Sequence, residues 1–127
     1  MSTRLAASSR WTLCVGVSVL LMIHAGLMGW SALRHTPTHI EVFHLPAGVS
    51  HLWLGRFDLS RDVPPLIRTV AGLPVVASRP ATNWGGFDPD PLRCPEYGVA
   101  FDFFCANGSR SIWLVTLSRW ACIPFSL

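Results

Sequence analysis

Apolar positions along the chain fall into one long run, a broken middle and a shorter closing run. The first, Trp11 to Leu33, holds 23 residues without a formally charged side chain. A helix of that length spans roughly 35 Å against a bilayer core of about 30 Å, so it predicts one transmembrane helix behind a tail at residues 1–10. Trp11 and Trp30 stand near its ends, where interfacial aromatics are favoured. Arg4 and Arg10 on the short leading flank favour a cytoplasmic N-terminus, which places the following loop on the far side. A cleaved signal peptide is the rival reading, with Gly29 and Ser31 as small residues around a cut. The run is longer than an h-region of about 7–15 residues, however, and carries no A-x-A site. Ala25 and Gly29 make a small-xxx-small step and His24 puts a polar group at membrane depth. Both suit packing against further helices, and both also occur in membrane helices without that role.

Residues 34–110 read as an extramembrane loop with short juxtamembrane helices. Thr38-His39-Ile40-Glu41 fits a capping box, with Thr38 as N-cap and Glu41 reaching back to it. Pro46 is expected to break or kink the helix that follows, and to start a second one towards Trp53. Asp62-Val63-Pro64-Pro65 is a helix entry. Leu66, Ile67, Val70 and Leu73 then follow on one face before Gly72 and Pro74 signal a stop. Such a two-turn helix is marginal alone in water and suits a membrane surface. From Ser78 to Gly98 every local signal is that of a loop. The closing run, residues 111–127, is apolar apart from Arg119. With Pro124 inside it, it reads as a second membrane helix cut off partway.

Composition sharpens this division. Half of the 127 residues are hydrophobic, 13% are charged and mean hydropathy is +0.40, which excludes intrinsic disorder. The net charge of +3 comes from ten Arg and no Lys, yet residues 34–110 carry seven Arg against seven acids. The basicity therefore belongs to the termini, and nucleic acid is not an expected partner; the expected one is the lipid bilayer, with further membrane helices.

Candidate chemistry is sparse. His35, His39, His44 and His51, with Glu41, are metal-compatible residue types, but their spacing matches no zinc signature and Pro37 and Pro46 interrupt them. They read as interfacial or solvated residues; no cofactor is predicted, and a divalent metal is left open. Asp88-Pro89-Asp90-Pro91 is a turn rather than a calcium loop. Cys94 and Cys105 could close a loop by a disulfide worth about 3 kcal/mol in an oxidising compartment, though nothing fixes their separation. Cys14 and Cys122 fall in apolar segments as packing residues. Asn107-Gly108-Ser109 is an N-glycosylation sequon by pattern. Arg56, Arg61 and Arg68 surround the proline-entry helix. Guanidinium suits a lipid-linked phosphate, while Asp58 and Asp62 stand close enough in sequence to neutralise these arginines.

The run IEVFHLPAGVSHLWLGRFDLSRDVPPLIRTVAGLPVV resembles the first extramembrane loop of polytopic GT-C membrane glycosyltransferases. These are the protein O-mannosyltransferase and aminoarabinose-transferase-like enzymes, which depend on a phospholipid carrier. Bacterial members read D-E-x-x-H-L-P-A-G, then G-R-F-D-L, then N-P-P-L and a short helix ending in L-P. The later NGSRSIWLVTLSRWACIPFSL is similar to the entry into their second membrane helix. The resemblance spans roughly residues 11–127 and implies the N-terminal part of such an enzyme, in a bacterial inner membrane, with a lipid-phosphate-linked sugar as donor. It also implies an acceptor-activating Asp after the first membrane helix. At that position this chain has Ile40. The neighbouring acid is Glu41, the His is His44, and the Asn before the paired prolines is Val63. Glu41 is offset by one residue, about 100° around a helix. The expected function is therefore a glycosyltransferase fragment or degenerate relative without activity alone. His44, Arg56, Arg61 and Arg68 are its candidate substrate-binding residues, and Glu41 is the one candidate catalytic group. The alternative is a small single-pass membrane protein whose exported loop binds a partner.

Overall fold

The computed structural model describes residues 2–59, 63–85, 87 and 95–127. Among them the chain is all helical, with no strand: α1 (Ser2–Arg34), α2 (His39–Leu54), α3 (Pro65–Ala77), α4 (Pro95–Asn107) and α5 (Arg110–Cys122), closed by a 3-10 turn at Ile123–Ser126. Helices α2 to α5 form a packed head. α1 stands apart from it, touching only α5 and the closing turn.

α1 overruns the expected span at both ends. Its section Arg10–Arg34 has the length and apolarity of a membrane span or a signal sequence. Apolar residues face outward all round it, Leu13, Leu20, Met22, Ile23 and Leu27 among them, each more than half exposed. Exposed apolar residues on every side of its middle are compatible with either a membrane anchor or a signal sequence. Only one face of its last turns is covered, by α5. Ala25 and Gly29 are half-buried there and Ala32 is buried, so the small-residue step meets a helix of this same chain. His24 is exposed.

The capping box forms as its sequence dictates. Thr38 N–H donates to Glu41 Oε2 at 2.7 Å, and Glu41 N–H donates to Thr38 Oγ1 at 3.4 Å. Pro46, expected to break or kink the helix, lies inside α2 without ending it, and Pro74, expected to stop α3, lies inside that helix. An interior proline loses one backbone hydrogen bond and costs about 3 kcal/mol. Tertiary burial offsets that cost, since all seven residues from Leu45 to His51 are buried. The stop signal at Gly72 has a different meaning. A Cβ on Gly72 would come within 2.9 Å of the Gly48 carbonyl, and one on Gly48 within 2.3 Å of the Arg68 oxygen. These glycines are the notch through which α2 and α3 cross.

α4 replaces part of the expected loop at 78–98, with a proline opening it and Glu96 in its first turn. The main core joins Leu45 and Val49 of α2, Val75 of α3, Phe103 of α4 and Leu114 and Val115 of α5. A smaller cluster of Ala47, Leu59 and Val99 lies beside it, and Trp84 packs against both. Asn107, the sequon residue, ties the connection before α4 to the helix. Its Nδ2 donates to the carbonyls of Ala81 (2.7 Å) and Phe103 (2.8 Å), while Oδ1 accepts from Ala81 N–H (2.9 Å). α5 is short for a membrane helix: 13 residues, about 20 Å, with Ser111, Leu114, Val115 and Thr116 buried in the head.

Candidate functional site

α5 runs antiparallel to the end of α1, and that pairing builds the site. Thr116 Oγ1 donates to the Ala32 carbonyl at 3.4 Å, and Trp120 Nε1 donates to the Gly29 carbonyl at 3.2 Å. A Cβ added to Gly29 would stand 4.0 Å from Ile123 Cδ1, one turn further down. The chain thus leaves α1, folds into the head, and returns alongside α1 in the opposite direction.

Between these contacts Arg119 reaches across to the start of α2. Its Nε donates to Glu41 Oε1 and its Nη2 to Glu41 Oε2, both at 2.7 Å. The remaining donors cap the end of α1: Nη1 to the carbonyls of Ala32 (3.1 Å) and His35 (2.7 Å), Nη2 to Thr36 (3.0 Å). Guanidinium geometry is matched to such a two-pronged carboxylate, and the α1 carbonyls are those a helix end leaves without intrahelical partners. Glu41 also accepts from Thr38 N–H and from Thr38 Oγ1 at 3.0 Å. The Arg119 hydrogen bonds, opposed by partial burial and aided by those from Thr38, hold its pKa down at about 2. A carboxylate so placed is a weak base and a strong anchor. Ile40 beside it is 63% exposed and carries no such constraint.

This clamp forms one side of a cavity of about 320 Å³ between α1, α2, α3 and α5. Met28, Leu45, Val63, Ile67 and Ala71 give it a largely apolar wall, and Glu41, His44, Arg68, Ser118, Arg119 and Cys122 supply the polar groups. Its charged lining residues are two arginines and one carboxylate, and Glu41 is already paired with Arg119. Arg68 is only 4% exposed. It is held by donating from Nη1 to the Leu59 carbonyl at 3.1 Å and from Nη2 to the Val63 carbonyl. That fixes both the guanidinium and the backbone preceding α3.

Of the residues singled out from sequence, Glu41, His44 and Arg68 are therefore brought together. Arg56 is elsewhere: it pairs with Asp58 and lies 4.0 Å over the Phe87 ring, pinning the segment after α2. Arg61 and Cys94, like Asp62 and the Asp88–Asp90 turn, lie outside the described residues. Cys105 is exposed on α4. The histidines separate. His35 bonds Ser31, His39 packs edge-on against Phe43, and His51 is buried with Nδ1 3.0 Å from Thr69 Oγ1 and its ring stacked on Phe57. Burial, then the charge of Arg68, holds the His51 pKa below its usual value. Among the described residues no three His, Cys, Asp or Glu side chains converge as metal ligands.

Sequence reasoning missed Arg119 as a site residue, together with Met28, Ser118 and Cys122. The available signal was the lone arginine in an apolar run, a residue that demands a partner. Compared with known families, curated proteins and solved structures, the chain matches none.

Proposed function

We propose that this chain is the membrane-anchored N-terminal portion of a GT-C-like glycosyltransferase, and that its cavity receives the phosphate end of a lipid-linked sugar donor. The observation that carries this reading is the cavity itself: an apolar wall that Met28 of α1 completes, with Arg68, Arg119, His44 and Glu41 among the polar residues that line it. A hydrocarbon chain ending in a phosphate has the complementary character.

The placement of α1 supports a retained anchor over a cleaved signal. A cut near Ser31 removes Met28 from the cavity and Gly29 from its bond with Trp120. With Arg4 and Arg10 on the cytoplasmic side, the head faces away from the cytoplasm, which in a bacterium means the outer face of the inner membrane. The antiparallel return of α5 supports a chain heading back into the bilayer. Arg119 then marks the boundary, level with the carbonyls at the end of α1.

The same geometry explains why the chain is inactive alone in this reading. The resemblance puts the acceptor-activating acid at residue 40, which is an exposed isoleucine, while the adjacent Glu41 is committed to Arg119. The chain keeps the anchoring acid and lacks the free one. Native mass spectrometry of the full chain in nanodiscs tests the binding claim. Polyprenyl phosphate is retained and polyprenol is not, and Ala71→Phe, which fills the cavity, abolishes retention. Equal retention of both lipids, or of neither, overturns the reading and favours an exported head that binds a protein partner.

A further inference from the structure

α3 is inverted in polarity. Its single charged residue, Arg68, is 4% exposed, and its one hydroxyl, on Thr69, is turned to the Pro65 carbonyl (2.8 Å) and to His51. Every exposed residue of the helix is apolar: Pro65, Leu66, Ile67, Leu73 and Ala77. Leu66 is 64% and Leu73 53% exposed, two helical turns apart on one face. A water-facing helix places its polar residues on this side.

We infer that this face of α3 lies against lipid acyl chains, as a second membrane contact of the head beside α1. The inference rests on the reading of α1 as a membrane anchor. Its own support is continuity: Ile67 belongs both to the exposed face and to the cavity wall that Met28 of α1 completes. The apolar surface therefore runs from α1 across the cavity mouth onto α3. Lipid suits it better than another helix does. Helix–helix contacts in membranes favour small residues that let backbones approach, and the glycine of α3, Gly72, is spent on α2 while branched side chains point outward.

Photolabelling of the full chain in phosphatidylcholine vesicles that carry a diazirine in the acyl chain tests this. Trypsin, which does not cut the Arg79–Pro80 bond, separates residues 11–34, 62–68 and 69–93 for mass spectrometry. Carbene adducts are expected on 11–34 and, at comparable yield per apolar residue, on Leu66, Ile67 and Leu73. Leu73→Glu, on an exposed face of the helix, lowers the adducts on Leu66 and Ile67 of 62–68 and on the α3 part of 69–93 about tenfold and leaves those on 11–34 unchanged. Adducts confined to 11–34 in the unsubstituted protein overturn the inference and leave the anchor standing. Adducts on neither segment overturn the anchor reading as well.

Discussion

Replacing Arg119 with leucine removes, in one step, the group that holds the end of α1, the start of α2 and α5 together. Five donated hydrogen bonds go with it, two to Glu41 and one each to the carbonyls of Ala32, His35 and Thr36. Breaking a buried ion pair from one side costs about 3–5 kcal/mol, because the other charge loses its partner. The Glu41 side chain is 31% exposed, so water recovers part of the loss and the low end, about 3 kcal/mol, is expected. For a chain of this size that corresponds to a fall in Tm on the order of 10 °C, read by far-UV circular dichroism in detergent micelles. Glu41→Gln should cost less, about 1–2 kcal/mol, and the double variant should fall short of the sum by a similar amount. The pH dependence has a definite sign. Glu41 has a folded pKa depressed from 4.5 to about 2, so its contribution is present above pH 4.5 and is lost as pH falls towards 2. In Arg119→Leu that acid-side slope flattens, since the largest cause of the depression is gone. An Arg119→Leu protein within about 0.5 kcal/mol of the parent, or full recovery with Arg119→Lys, refutes the clamp, because an ammonium cannot reproduce the two-pronged geometry.

Three further outcomes follow from the packing. Gly48→Ala forces a methyl to within 2.3 Å of the Arg68 oxygen and should destabilise the head by about 3 kcal/mol, whereas Gly26→Ala on the uncovered side of α1, with nothing within 4 Å, should be tolerated; parallel melts of the two variants check this. His51, whose pKa is lowered by burial and then by Arg68, contributes full stability above the usual imidazole value near 6.5 and progressively less below it, so His51→Gln should lack that loss in a pH series of unfolding midpoints. Asn107→Ala removes three hydrogen bonds, two of them to Ala81 in the connection before α4, costs about 1–3 kcal/mol, and should speed chymotryptic cleavage at Trp84 in limited proteolysis.

The parts of the fold legible in the sequence are those that local chemistry decides. The charge-free run from Trp11 and the Thr38–Glu41 capping box need no distant partner, and both appear in α1 and α2 as the pattern dictates. The prolines at 46 and 74 misled because their cost is local while the burial that outweighs it is not. α4 was hidden by Pro95 and Gly98, which read as turn residues, although a proline followed by an acid is also how helices start. For the site, Glu41, His44 and Arg68 were in view as separate residues, but the sequence gives no distance between positions 41 and 119. Arg119 looked like a flaw in a membrane helix. In the fold it is the residue that makes the helix ends meet.

On the proposed reading, the cavity between α1, α2, α3 and α5 recognises a phosphate carried on a hydrocarbon chain. The most direct measurement is the ratio of Kd values for a polyprenyl phosphate and the matching polyprenol, taken on the full chain in nanodiscs with Ala71→Phe as the blocked control. Charge-assisted contacts worth about 1.5–3 kcal/mol predict that the phosphate binds about 10- to 100-fold more tightly, and that the preference vanishes in the control. A ratio near one in the unsubstituted protein, or a preference that survives Ala71→Phe, contradicts the account.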